Sequence, residues 1–156
     1  MHVIFSILLF LLAGFFFYQN WKRNKAASAN LAKGKQFLTD NGQKDDVLTT
    51  SSGLQYQILQ EGSGENHPKL TSKVTVHYHG TLLNGDVFNS SVDNRKPITF
   101  SVKQVIKGWQ EGLQLMVVGQ KVRFFIPPAL AYGNRRAGKI PPGSVLIFDI
   151  ELLEIK

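Results

Sequence analysis

The stretch that most limits the possible folds lies at the end of the chain. From Ser144 to Ile155, the residues Leu146, Phe148, Ile150 and Leu152 share one face of an extended chain, opposite Asp149 and Glu151. A period of two is that of a half-buried β-strand and excludes an amphipathic helix. Val74, Val76 and Tyr78 repeat the pattern against Thr75, His77 and His79, so at least two strands share one covered face, as antiparallel sheets do. Further strands are expected over Leu54–Leu59, over Pro97–Val102 with Ile98, Phe100 and Val102 aligned, and over Val122–Ile126, which Pro127-Pro128 halts. Leu83-Asn84-Gly85-Asp86 is a tight turn tying the Tyr78 strand to the Phe88 segment. Only one segment of this region has helical spacing. Trp109, Leu113 and Met116 recur on one face, Gly108 permits a close turn into the helix, and Gly119 follows its end. The expectation is an α+β fold: an antiparallel, five- to six-stranded half-barrel sheet wrapped over one short helix.

The first part of the chain has a different character. No charged residue occurs from Met1 to Tyr18, and Phe, Leu and Ile dominate. That run is long enough to read as a transmembrane helix, with Tyr18 and Trp21 as interfacial anchors. A cleaved secretory signal is the competing reading. Against it, no Lys or Arg precedes the run, and the small-x-small site Ala27-Ser28-Ala29 lies beyond Lys22, Arg23 and Lys25. The expected organisation is a membrane anchor over 1–21, a short helical linker over 22–50 and a folded domain over 51–156. Asp40-Asn41-Gly42 ends the linker helix. The basic flank follows the apolar run, which by charge bias puts the domain in the cytoplasm. The formal net charge of +7 in 156 residues is otherwise dispersed, so no nucleic-acid partner is implied. The chain has no cysteine, which excludes disulfides, thiol catalysis and thiolate metal sites.

Catalytic motifs of the familiar kinds are missing. There is no Ser/His/Asp elbow, no HExxH and no carboxylate pair. Gly62-Ser63-Gly64 lacks the Lys-Ser/Thr and helix of a phosphate loop. His77 and His79 sit on one strand face, but a third metal ligand is missing unless His67 folds back, and two surface or hydrogen-bonded histidines are the better account. Glu111 is expected in the first helical turn, facing the helix N-terminus. No metal and no cofactor is expected. Aromatics are what remain: Tyr78, Phe88, Phe100, Trp109, Tyr132 and Phe148 lie on separate segments. Trp109 is either core packing or the floor of a recess. One reaction needs neither nucleophile nor metal. Rotation about an X-Pro bond breaks no covalent bond, yet its barrier is roughly 20 kcal/mol because the twisted amide loses resonance. A dry ring-lined recess favours the less polar twisted state, and a few donors hold the carbonyl.

Val76-His77-Tyr78, Gly85-x-x-Phe88, Val105-Ile106-x-Gly108-Trp109, Ala131-Tyr132-Gly133, Ile140-Pro141-Pro142 and Phe148-x-x-Glu151-Leu152-Leu153 follow in an order and spacing that resembles the FKBP-type peptidyl-prolyl isomerases. The likeness covers roughly residues 52–156. Gly34-x-x-Phe37-Leu38 and Thr49-Thr50-x-Ser52-Gly53-Leu54-Gln55-Tyr56 look like the bacterial Mip-like branch, whose members carry a helical amino-terminal extension and often act in the cell envelope. The resemblance implies prolyl cis-trans isomerase activity on proline-containing polypeptides, with macrolide inhibitors as further ligands. It makes Trp109 the floor, and Tyr78, Phe88, Val105, Ile140 and Phe148 the walls, with Phe100 beside them. The Ile106 backbone N–H and the Tyr132 hydroxyl become the substrate donors.

The likeness has departures. Asn89 stands where the family usually has Asp after the wall Phe, and Asn94 where an Arg commonly pairs with it. Losing both is coherent, since a lone buried charge is costly, but it removes an ion pair from the rim. Ile98 replaces a common aromatic, and the loop between Tyr132 and Ile140 is short and basic. The readings that follow are a membrane-tethered isomerase, a weakly or non-catalytic proline-peptide-binding chaperone on the same fold, and an anchored docking protein. The Mip-like resemblance favours the periplasm, against the charge bias.

Overall fold

The structure, a computed structural model, describes the backbone from His2 to Lys156 and side-chain environments from Leu9 onward. It begins with one helix, α1 (His2–Asn41). Seven strands follow, β1 (Leu48–Thr49), β2 (Gln55–Gln60), β3 (Lys73–Thr81), β4 (Val87–Ser90), β5 (Ile98–Ser101), β6 (Lys121–Ile126) and β7 (Leu146–Ile155). The helix α2 (Lys107–Leu115) lies between β5 and β6. The strands run β1-β2-β6-β7-β3-β4, with β5 also on β3. Every pairing is antiparallel. Both β4 and β5 pair with β3: β5 takes Lys73–Val76 and β4 takes His79–Thr81. The chain between them therefore loops out at the sheet edge, directly after Phe88 and Asn89.

The central register explains the two alternating sequences. Val76 opposes Leu152, Tyr78 opposes Ile150, Gly80 opposes Phe148, and Phe124 on β6 opposes Phe148 from the other side. Apart from Gly80, these residues meet Trp109 and Leu113 of α2 in one core cluster. The outer face carries the polar partners: His77 opposes Glu151, and His79 and Arg123 both lie across from Asp149. Arg123 binds Asp149 bidentately, Nε to Oδ1 at 2.6 Å and Nη2 to Oδ2 at 2.8 Å. That hydrogen bond raises the guanidinium pKa further above its ordinary value.

Two expectations about α2 need correction. Gly108 is not in the left-handed region; its role is close approach, because an added Cβ would sit 2.5 Å from Ile126 Cγ2. Gly112 does the same one turn later, against Phe124 Cε1 at 2.6 Å. Bare backbone on this face lets α2 lie directly on β6. Glu111 falls in the second turn of α2, not the first, and its Oε2 accepts from Ser52 Oγ at 2.6 Å.

The amino-terminal expectations also change. Anchor and linker were read as separate segments, but α1 is continuous through both, since no Gly or Pro interrupts Gln19–Lys33. Gly42 N–H bonds Leu38 O at 3.0 Å where the helix stops. The linker's second half adds the two-residue strand β1 to the sheet, one reason the strand number exceeds the expected five or six. Among the described residues no helix is long and apolar enough to cross a membrane. The first eight residues of the apolar run lie outside the described side chains. A span of roughly 18 residues counted from Leu9 already takes in Lys22, Arg23 and Lys25. The later half of α1 packs on the domain: Ala27 is buried, Phe37 lies 5.8 Å from Phe125, and Asn30 Nδ2 donates to Pro142 O at 2.8 Å.

Candidate active site

The site forms where the β3 and β7 side chains meet the first turn of α2. Trp109 sits in that turn because Ile106, extended at φ −58° and ψ 153°, starts the helix and its carbonyl accepts from both Trp109 N and Gln110 N. Three rings contact the indole: Phe148 edge-on at 5.0 Å and 84°, Tyr78 at 5.3 Å and 76°, and Phe100 at 5.5 Å and 49°. Phe88 joins through Phe148 at 5.3 Å and 87°. The Phe148 and Tyr78 contacts with the indole and the Phe88–Phe148 pair are edge-to-face, the favoured arrangement for aromatic quadrupoles, while Phe100 is tilted. Trp109 keeps 6% exposure, whereas Leu113 and Met116 on the same helical side keep 0%. All three belong to the same buried core cluster, with the indole at its outer margin. Phe88, Phe100, Val105 and Ile106 around it are half-buried.

The remaining sequence-derived residues fall into two groups. Tyr132 is 42% exposed, and its phenol lies close enough to Tyr78 to act on its ionisation. Burial first, and the Tyr132 phenol second, hold the Tyr78 pKa above its ordinary 10.0. Ile140 is buried in the core cluster, in a loop pinned by its own pair of backbone bonds with Ala137 (3.1 and 2.9 Å) and by Gly143 N–H to Gly133 O at 2.9 Å. The Ile106 N–H has no acceptor among the described residues. Trp109 Nε1 is likewise a buried donor without a partner among them. Asn89 and Asn94 are both exposed, and no hydrogen bond joins their side chains.

What holds the rim instead was missed in the sequence. Ser91 Oγ accepts from Tyr78 N–H at 2.8 Å and lies 2.9 Å from His77 Nδ1, while Ser90 Oγ lies 2.9 Å from His79 Nδ1 and accepts from Asp93 N–H at 3.1 Å. The histidines thus buttress the loop after β4. His67 is elsewhere, with Nδ1 3.0 Å from Met116 O. No three metal-ligating side chains converge among the described residues. Gly80 was also missed. A Cβ there would lie 2.7 Å from Phe148 Cε1 and 2.7 Å from Phe88 Cζ. Its bare backbone makes room for both rings.

An antiparallel half-barrel sheet over one helix, with aromatic rings clustered where the two meet, defines an α+β half-barrel protein. Comparison with known proteins narrows this. The family model described as FKBP-type peptidyl-prolyl cis-trans isomerase matches residues 64–153, and that of the domain amino terminal to it matches residues 11–58. The chain belongs to the FKBP-type peptidyl-prolyl cis-trans isomerase family. It is 52% identical over 135 residues to the isomerase FkpA of Aeromonas hydrophila, covering 86% of this chain and 50% of that one. To the FKBP-type 22 kDa isomerase of Escherichia coli it is 47% identical, covering 85% and 65%. The crystal structure of FkpA from Escherichia coli superposes with a TM-score of 0.92 at 40% identity, covering 98% of this chain and 71% of that one. The chain thus spans about half the length of its Aeromonas relative and 65% of the 22 kDa isomerase.

Proposed function

We propose that this chain accelerates cis-trans rotation of X-Pro bonds in polypeptides, with the proline ring set over Trp109 among Tyr78, Phe88, Phe100, Val105, Ile140 and Phe148. The observation that carries the reading is the floor of rings with two donors at its edge, the Ile106 N–H and the exposed Tyr132 hydroxyl. The rings supply a water-poor surface that favours the less polar twisted amide, and the donors hold the carbonyl in the orientation reached there. No nucleophile is needed, and no cofactor enters the reading. The test is a proline-peptide isomerisation assay on the full chain. Tyr132→Phe should lower kcat/KM by roughly tenfold, the worth of one neutral hydrogen bond of about 1 kcal/mol or a little more. The variant should keep its melting temperature, because the hydroxyl is at the surface. Peptide binding with no acceleration in the wild type would instead establish the chaperone reading, which the uncharged Asn89 and Asn94 favour.

The proposal extends to placement. From Leu9 to Trp21, large apolar side chains are exposed at between 51% and 80%, including the four successive residues Leu9, Phe10, Leu11 and Leu12. Successive residues point around the whole helix, so one partner helix, which covers a single stripe, leaves much of this surface in water. Lipid covers all of it. On this reading residues 1–21 anchor the chain in a bacterial inner membrane, residues 22–50 connect, and the domain over 51–156 faces the periplasm, where newly secreted chains need folding. Protease added to intact spheroplasts should remove the domain. Full protection until lysis would put it in the cytoplasm.

A further inference from the structure

We propose that the groove between α1 and the loop over 134–142 binds the phosphate headgroups of anionic phospholipid, seating the domain against the membrane; this rests on the anchoring just argued. The groove is about 830 Å³ and is lined by Phe16, Phe17, Lys22, Arg23, Arg136 and Pro142. Aromatic rings and cations share its walls, and no carboxylate lines it. None of the three cations pairs with a carboxylate among the described residues. Arg23 is instead oriented by Asn20, Nη2 to Oδ1 at 2.8 Å.

Guanidinium groups present a planar fork that matches phosphate oxygens, and two of them with one ammonium, unpaired in one concavity, call for an anion. The rings specify which. A free anion has no use for Phe16 and Phe17, while a headgroup arrives with apolar chains beside it. Spacing agrees: Lys22 follows Phe16 by about 9 Å along the helix at 1.5 Å per residue, comparable with a headgroup layer of about 5–8 Å. Arg135 and Lys139 are exposed on the same loop, and Lys25 rests 5.2 Å over the Trp21 ring.

The far wall is fixed. Asn30 Nδ2 holds Pro142 O at 2.8 Å, and an added Cβ on Gly143 would lie 2.6 Å from Ala27 O, so loop and helix touch backbone to backbone. That loop continues from Tyr132 and carries Ile140. A headgroup bridging Arg136 to Lys22 and Arg23 therefore sets the height of the ring-lined opening above the bilayer.

The test uses the full chain in phosphatidylcholine vesicles with and without phosphatidylglycerol, reading flotation and the rate of tryptic cleavage after Arg135. Both vesicle types should float the protein. Phosphatidylglycerol should slow the cleavage by about tenfold or more, and Arg136→Gln should return about fivefold of that, the worth of one basic side chain at an anionic surface. High salt should restore cleavage. Flotation with both lipids but equal cleavage overturns the groove and leaves the anchor standing. Flotation only with phosphatidylglycerol, lost in Arg136→Gln, overturns the anchor and, with it, the seating of the domain proposed here. No flotation with either overturns both. Equal protection by inorganic phosphate with phosphatidylcholine alone makes the ligand a free anion and overturns the lipid assignment.

Discussion

Trp109→Ala should lose about 3–5 kcal/mol of stability, the usual range for truncating a buried indole, and roughly tenfold to hundredfold in kcat/KM. The stability loss follows from position: the ring is 6% exposed and touches Phe148, Tyr78 and Phe100 at 5.0 to 5.5 Å. The catalytic loss follows from exposing the proline ring to water on one face, worth about 1.5–3 kcal/mol for a side chain of that size. Urea unfolding should show a lower midpoint with an unchanged m-value. Fluorescence offers a second check, because the chain has two tryptophans. Trp21, 59% exposed on the protein, closes the proposed anchor, so the variant's remaining emission should follow the lipid or detergent around Trp21 and not respond to a proline peptide. In Trp21→Phe, the remaining Trp109 emission should respond to a proline peptide. Full activity in folded Trp109→Ala would remove the indole from the site.

The alternating segments carry their own instructions, which is why the sheet was legible. A strand with Leu146, Phe148, Ile150 and Leu152 on one face cannot turn over without placing Asp149 and Glu151 in the core. The rings that gather around Trp109 were legible for the same reason, as inward-facing residues of the alternating strands. Other features depend on distances between residues remote in sequence, which no local pattern encodes. Gly108 and Gly112 look like turn or flexibility signals until Ile126 and Phe124 are set beside them. Gly80 looks like a weak point in a strand until two rings are found occupying its missing side chain. The Asn89 and Asn94 substitutions raised the question of what steadies the rim. The answer lies in Ser90 and Ser91, whose bonds to His77 and His79 connect a loop to the outer face of a neighbouring strand. The continuity of α1 was hidden for a different reason: composition changes at Lys22 from apolar to polar, and helical backbone is indifferent to that change.

Gly80→Val is the second large effect, and it separates the opening from the core. Even the first carbon of the new side chain would lie 2.7 Å from Phe148 Cε1 and from Phe88 Cζ, and 2.9 Å from Phe88 Cε2. Real contacts do not reach such distances, so the rings must move. Phe124 and Ile150 bracket Phe148 from the sheet side in the same core, whereas Phe88 is only half-buried on an edge strand. Phe88 therefore gives way, towards solvent or over Trp109. Overpacking of this kind should lower stability by about 1–3 kcal/mol. Displacing a wall ring by about 1 Å should reduce kcat/KM by roughly a hundredfold, more than the stability change accounts for. Gly80→Ala should fall between the two. Combining it with Phe88→Leu, which shortens the yielding side chain, should restore stability ahead of activity, since the space is regained but the ring is not. If Gly80→Val unfolds at the wild-type midpoint and isomerises at the wild-type rate, the packing of Phe88 and Phe148 around that backbone does not shape the opening.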